Sequence, residues 1–310
     1  MGNGFQLRER WRLTDLAFDR WGVVGHVLPY EMADLVLHDD VRTSALQYFR
    51  EHGIKWWNGP ADGRTPGMEP RPSGHLTSSQ VACVNHLEPA RLDSDVARAV
   101  LSNLEAGLTP VRLSDDGYVE YEWIGAANHL REPGSRSRGA NVTSLDAVMC
   151  GIRSDGTRLL VAFEWKYLES YQGKSRSTSS RGTDRVSIYR PLLENPDCPI
   201  VVEEIEWLFY DPYEQLMRQT LLAWQMVRAG EFGASDWLHV LVVPEENTRL
   251  RESTAGAPNL RGSTLAGKWR SVLREPDRFL VISPTELVAG TEATGRWQAW
   301  RNWLADTYLT

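Results

Sequence analysis

The stretch 159-LLVAFEWKYLESY-171 decides the fold: five apolar residues run directly into Glu164, Trp165 and Lys166. Side chains two apart on a strand share a face, so Glu164 and Lys166 point one way and Phe163 and Trp165 the other. The preceding stretch, 144-SLDAVMCGI-152, reads as a second strand, and 154-SDG-156 joins the two as a hairpin loop. A three-residue loop with Gly156 in the left-handed conformation pairs Arg153 with Thr157. Carried back along the hairpin, that register sets Asp146 opposite Glu164, about 5 Å away at Cβ. A two-residue loop of Asp155 and Gly156 would slide the register by one and set Asp146 opposite Trp165 instead. Only the first register brings two carboxylates and an ammonium together.

Outward from this hairpin, the period of the apolar residues assigns the remaining elements. Downstream, 211-DPYEQLMRQTLLAWQMVRAG-230 is an amphipathic helix with Pro212 near its start and Gly230 after its end. A buried strand, 236-DWLHVLVVP-244, follows, then a helix over 264–275, a strand 278-RFLVIS-283 and a closing helix over 292–309. The strand–helix–strand run from 236 to 282 predicts a parallel crossover. Upstream, 118-YVEYEWI-124 alternates as a strand. Two consecutive helices precede it, 77-TSSQVACVNHLEPA-90 and 93-DSDVARAVLSNLEAG-107, the first opening on a T-x-x-Q capping box at Thr77 and Gln80. The first 57 residues read as mainly helical, and 58-NGPADGRTPGMEPRPSG-74, with four Gly and four Pro, reads as a loop or boundary. This order predicts an α/β architecture: a mainly helical segment over 1–75, then a domain over 76–310 with a central mixed β-sheet flanked by helices and a helical C-terminal extension.

A chain of 310 residues, 42% hydrophobic and 24% charged, can bury one large or two modest cores. No apolar run approaches the roughly 20 residues of a membrane helix, and MGNGFQLRERW lacks the apolar region of a signal peptide, so a cytoplasmic location and no membrane partner are expected. Cys83, Cys150 and Cys198 are odd in number and never spaced as C-x-x-C, which argues against disulfides and thiolate zinc. A net charge of -7 excludes bulk attraction to nucleic acid but leaves room for a local basic cleft. Of 34 basic residues only four are lysines, Lys55, Lys166, Lys174 and Lys268. A lysine in such a chain points to a task for a compact, titratable ammonium.

Two carboxylates side by side repel unless a cation lies between them, and oxygen donors of this kind suit Mg²⁺ or Mn²⁺. Such an ion can activate water, with a lysine beside it to orient the water and offset charge on a phosphate. Asp146 followed by Glu164-x-Lys166 resembles the motif of the PD-(D/E)xK nuclease superfamily, with Leu145 in place of the proline. The flanking text, ANVTSLDAVM and FEWKYLESY, is similar to a bacterial branch with T-S-x-D-A and E-x-K-Y motifs. The resemblance covers roughly 77 to 243. It implies a restriction-endonuclease-like core, DNA as partner and Mg²⁺ as cofactor, with Mn²⁺ able to substitute. Asp146, Glu164 and the Trp165 carbonyl would hold the metal, and Asp146, Glu164 and Lys166 would be catalytic. It is compatible with a homodimer. It also implies an auxiliary acid at Glu105, with Glu120 and Glu122 on the first strand as competing candidates, and a Gln or Tyr on the following helix, Gln215 or Tyr213.

Two Gly/Ser-rich basic segments flank this motif, 131-REPGSRSRG-139 and 173-GKSRSTSSRGTDRVSIYR-190. They nominate Arg136, Arg138, Lys174, Arg176, Arg181 and Arg185 as ligands of a phosphate backbone, against the plainer reading of solubilising loops. His86 has no second histidine at ligand spacing and reads as a core or capping residue. Trp297, Trp300 and Trp303 recur at helical spacing and read as core rather than base-stacking platforms. Restriction of foreign DNA is the leading functional reading; alternatives are a repair or recombination nuclease and a non-catalytic DNA-binding domain on a degenerate nuclease fold.

Overall fold

A computed structural model describes residues 4–57, 70–139, 142–178, 182–252, 257, 259–291 and 295–308. Its centre is one mixed sheet of six strands: β1 (Thr109–Val111), β2 (Glu120–Trp123), β3 (Leu145–Ile152), β4 (Arg158–Trp165), β5 (Asp236–Val242) and β6 (Phe279–Ile282). β4 lies between β3, to which it is antiparallel, and β5, to which it is parallel, and β6 continues the parallel half. The outer edge of β3 is shared by β1 at one end and β2 at the other, both antiparallel. The short β1 went unpredicted because three residues are too few to show a period.

The loop after β3 is the three-residue form. Arg153 donates its N–H to Thr157 O at 2.9 Å, and Gly156 has φ +88°, a conformation glycine alone adopts without cost. Pairing then runs from Ile152 with Arg158 to Ala147 with Phe163. This is the register that sends Asp146 toward Glu164.

Ten helices are described: α1 (Gly4–Trp21), α2 (Asp39–Glu51), α3 (Ser79–Leu92), α4 (Ser94–Ser102), α5 (Arg185–Leu193), α6 (Tyr213–Arg228), α7 (Thr248–Arg251), α8 (Leu265–Arg270), α9 (Pro284–Leu287) and α10 (Gln298–Tyr308). They cover both faces of the sheet, which explains why β4 is buried along nearly its whole length rather than alternating with polar residues. On one face Phe163 and Trp165 join Leu87, Trp300 and, from the N-terminal segment, Leu13 and Phe49. On the other, Leu160 and Ala162 pack with Leu216, Leu222 and Trp269. Twelve residues of the proline- and glycine-rich stretch, 58–69, lie outside the described residues.

α3 starts one residue later than its capping box predicted. Ser78, not Thr77, accepts the N–H of Val81, which turns Gln80 inward to other partners. His86 is a core residue: fully buried, its Nδ1 donates to Ala82 O at 2.7 Å and its ring lies 4.9 Å from that of Trp165. Burial holds it neutral by lowering its pKa to about 4. Trp297 and Trp300 are buried, as their spacing predicted.

Candidate functional site

The hairpin delivers its charged residues to one end of the sheet. β3 and β4 stop pairing at Ala147 and Phe163, and beyond that point Asp146 Oδ2 accepts the N–H of Trp165 at 2.6 Å. Trp165 turns into the core, and Glu164 and Lys166 emerge on the α6 face. The Lys166 ammonium forms an ion pair with Glu164 Oε1, with side-chain exposures of 12% and 1%, so the pair is shielded from solvent. That oxygen is buried and accepts no directed hydrogen bond, whereas Oε2 accepts from the Gln219 side chain.

A third acid joins from β2. Glu122 should pair opposite Asp146, but the ladder skips it, passing from Tyr121–Ala147 to Trp123–Leu145. Its φ is +47°, which costs a non-glycine residue about 1 kcal/mol and interrupts the ladder without shifting its register. Gln80 donates to Glu122 Oε1 at 2.6 Å and Ser144 Oγ to Oε2 at 2.8 Å, fixing the carboxylate in place. Gln219 also donates to Ser144 O at 3.1 Å, linking all three strands to α6.

Three carboxylates lie near one ammonium, with the Arg138 and Arg218 guanidiniums acting on Glu122 and Glu164 from further off. Burial, then repulsion from Glu164 and Glu122, pushes the Asp146 carboxyl well above its ordinary range. Glu122 is raised to about 6, chiefly by burial. Lys166 moves the other way: burial alone would lower it, but Glu164, Tyr171, Glu169 and Asp146 together hold it well above its usual value. A firmly charged lysine near Asp146 and Glu122, both reluctant to ionise, marks a local excess of acid.

The donors suit a hard divalent cation. The available oxygens are carboxylate and carbonyl, and Glu164 Oε1 is buried with the Lys166 ammonium as its counter-charge and no directed hydrogen bond. Among the described residues no group of three or more His, Cys, Asp or Glu side chains is gathered closely enough to hold a metal alone. An ion here would rest on Asp146, Glu164 and the Trp165 carbonyl and keep several waters, which is how Mg²⁺ binds.

Residues 11–309 match the family described as restriction endonuclease associating with ARP. The chain belongs to this family. No curated protein and no solved structure matches it. Membership makes the chain restriction-endonuclease-like, a nuclease class whose substrate is DNA, and its mixed sheet flanked by helices agrees with that fold. No described helix is long and apolar enough to cross a membrane.

Within this family member, the other nominated residues scatter. Glu105 follows α4 rather than lying on it and pairs with Arg153 at 2.6 Å, at the loop end of the hairpin and far from Glu164. Glu120 accepts from Tyr48 at 2.5 Å and pairs with Arg138 at 3.1 Å, in a buried brace apart from the acids of the site. Gln215 lines a small cavity with Glu164, Lys166 and Tyr171. Arg136 donates to Ile124 O and Gly125 O, and Arg138 to Tyr121 O; both are spent on backbone carbonyls and brace the fold rather than reaching outward. Arg176 pairs with Asp211 at 2.7 Å and Arg185 with Glu214 at 2.8 Å, both still partly exposed. Lys174 is exposed, and Arg181 lies outside the described residues.

Sequence reading missed Gln80, Ser144, Gln219 and Tyr171. Gln219 was within reach, because it lies one turn beyond Gln215 on the same face of α6. Gln80 was hidden by its apparent capping role.

Proposed function

We propose that this protein is a Mg²⁺-dependent DNA endonuclease, acting in restriction or another defence against foreign DNA. The observation that carries the reading is the convergence of Asp146, Glu164 and Glu122, with Lys166 paired to Glu164, mostly shielded, at the ends of adjacent strands. Burying three acids beside one base costs stability, and proteins keep such arrangements where the charge is used. The lysine argues for chemistry on phosphate, since its compact ammonium can orient a water and offset charge on a scissile phosphodiester.

Asp146 and Glu164, with the Trp165 carbonyl, would hold the ion, which when bound supplies an activated water and a counter-charge for the phosphate. The protein's own part is positional. The Trp165 N–H fixes one Asp146 oxygen and leaves the other to ligate, and Gln219 does the same for Glu164. Lys166, released from Glu164, turns its ammonium to the water and phosphate. Glu122 would serve as a further acid able to hold a proton. Exposed Lys174 and partly exposed Arg176 and Arg185 would track the DNA backbone. The family's description adds association with ARP, and we carry that partnership to this chain as part of the proposal.

The test is incubation of purified protein with modified and unmodified supercoiled plasmid, with and without Mg²⁺ or Mn²⁺. Metal-dependent nicking or linearisation is expected, with a difference between the two plasmids. Activity confined to junctions or free ends would favour a repair nuclease, and no cleavage of any DNA would favour the non-catalytic domain.

A further inference from the structure

The lysine side of the site is closed. Glu164 and Lys166 share a cavity with Tyr171, Gln215, Pro212 and Leu216, in which the free space is about 10 Å³, room for one water. A phosphodiester does not fit there. The closing ring belongs to the segment that follows the motif: the centroid of Tyr171 lies 6.0 Å from Lys166 Nζ, within cation–π range.

That segment, residues 167–178, is a strap with no helix or strand of its own, stitched down at both ends. At its start Asn247 donates to Tyr167 O at 2.9 Å and Glu169 O at 3.1 Å. Further along, Ser175 forms an antiparallel bridge with Tyr210, Asp211 N–H donates to Lys174 O at 3.0 Å, and Arg176 N–H donates to Phe209 O at 2.7 Å. The second set is polar, near the surface and short, the kind of contact that opens locally at little cost. Gly173, with φ +68°, lies between Tyr171 and these stitches and gives the strap a bend.

We propose that Tyr171 is a positioning residue for Lys166, holding its ammonium against Glu164, and that the strap carrying it must shift before a phosphodiester reaches the lysine. This rests on the nuclease reading for its consequence but not for its geometry. Three buried native cysteines and only four lysines make both parts testable.

The first measurement is amine labelling mapped by mass spectrometry on folded protein. Lys55 and Lys174 are exposed and should label freely, while Lys166 should be protected as buried Lys268 is. Tyr171→Ala should speed Lys166 labelling about fivefold or more, with Lys55 and Lys174 unchanged, and Tyr171→Phe should restore protection because it keeps the ring. Equal labelling of Lys166 in wild type and Tyr171→Ala would overturn the placement, whether or not the protein cuts DNA.

The second is a staple, Ser175→Cys with Tyr210→Cys, at a bridge pair whose Cα spacing suits a disulfide. Oxidised, the variant should cut plasmid about tenfold more slowly or worse, with recovery on reduction. Equal rates in the two redox states would overturn the need for movement. Complete inactivity of wild-type protein would instead remove the nuclease reading and leave labelling to decide the role of Tyr171.

Discussion

The two ends of one hairpin carry charge in opposite ways. At the loop end, Arg153 pairs with Glu105 and with Asp236, both at 2.6 Å, and Arg278 also pairs with Asp236. Acids and bases balance there, and each is partly exposed. At the motif end Asp146, Glu164 and Glu122 have Lys166 as their one ion-paired base, with Arg138 and Arg218 acting from further off, and most of these side chains are buried. A balanced, solvated network is what a sheet edge needs to stay soluble; an unbalanced, buried one is an expense that folding alone does not explain. The contrast separates structural charge from chemical charge more reliably than the identity of the residues does, since both ends contain a glutamate beside a base.

Replacing those two glutamates is the sharpest way to break the comparison. Glu164→Gln should reduce DNA cleavage by about 10³-fold, whereas Glu105→Gln should leave it within about twofold. Equal losses in a plasmid-nicking assay would erase the distinction.

The bases predict a second difference, in stability. Arg138→Ala strips the charged partner from buried Glu120, leaving only the Tyr48 hydroxyl, and should cost about 3 kcal/mol, while Arg153→Ala, at a partly exposed pair, should cost about 1 kcal/mol or less by urea denaturation. If Arg138→Ala weakened DNA binding without lowering stability, its assignment as a brace would fail.

The acid excess also shapes the pH dependence. Glu122 ionises at about 6 in the fold and at about 4.3 in an unfolded chain, so the folded protein holds the extra proton between those values. Its contribution is fully present below about 4.5, is lost as pH rises to about 6 and is level beyond, a fall of about 2 kcal/mol. Asp146, raised in the same direction, deepens it. Glu122→Gln should flatten this fall in melting curves taken across the window. A wild-type stability that instead climbed over the same range would contradict the raised carboxyls.

The smallest effect expected is thermal. Millimolar Mn²⁺ should raise the melting temperature by about 2–6 °C at neutral pH, and less in acid as the ligands protonate. Asp146→Asn should abolish the shift.

Much of this was legible in the residues. The face shared by Glu164 and Lys166 follows from the period of a strand; the register was one of two that the loop allowed, and the Arg153–Thr157 pairing decides it. The main helices and the parallel crossover followed from apolar spacing, while α4, α8 and α10 are shorter than that spacing suggested. What stayed hidden needed the third dimension. Nothing in YVEYEWI tells Glu120 from Glu122, because strand period sets them alike. The positive φ at Glu122 separates them, and its carboxylate is held by Gln80 and Ser144, 42 and 22 residues away. Likewise, arginine-rich loops look like nucleic-acid ligands until the fold assigns Arg136 and Arg138 to carbonyls that no sequence pattern reveals.

The central claim is that Asp146, Glu164 and Lys166 form one metal-dependent phosphodiesterase centre. Its most direct test is single-turnover cleavage of plasmid DNA in Mg²⁺ by wild-type protein, Asp146→Asn and Lys166→Ala, each shown to be folded by melting. The account predicts cleavage by wild type that EDTA stops and a loss of about 10³-fold or more in both variants. Cleavage by Lys166→Ala and Asp146→Asn at the wild-type rate would contradict it.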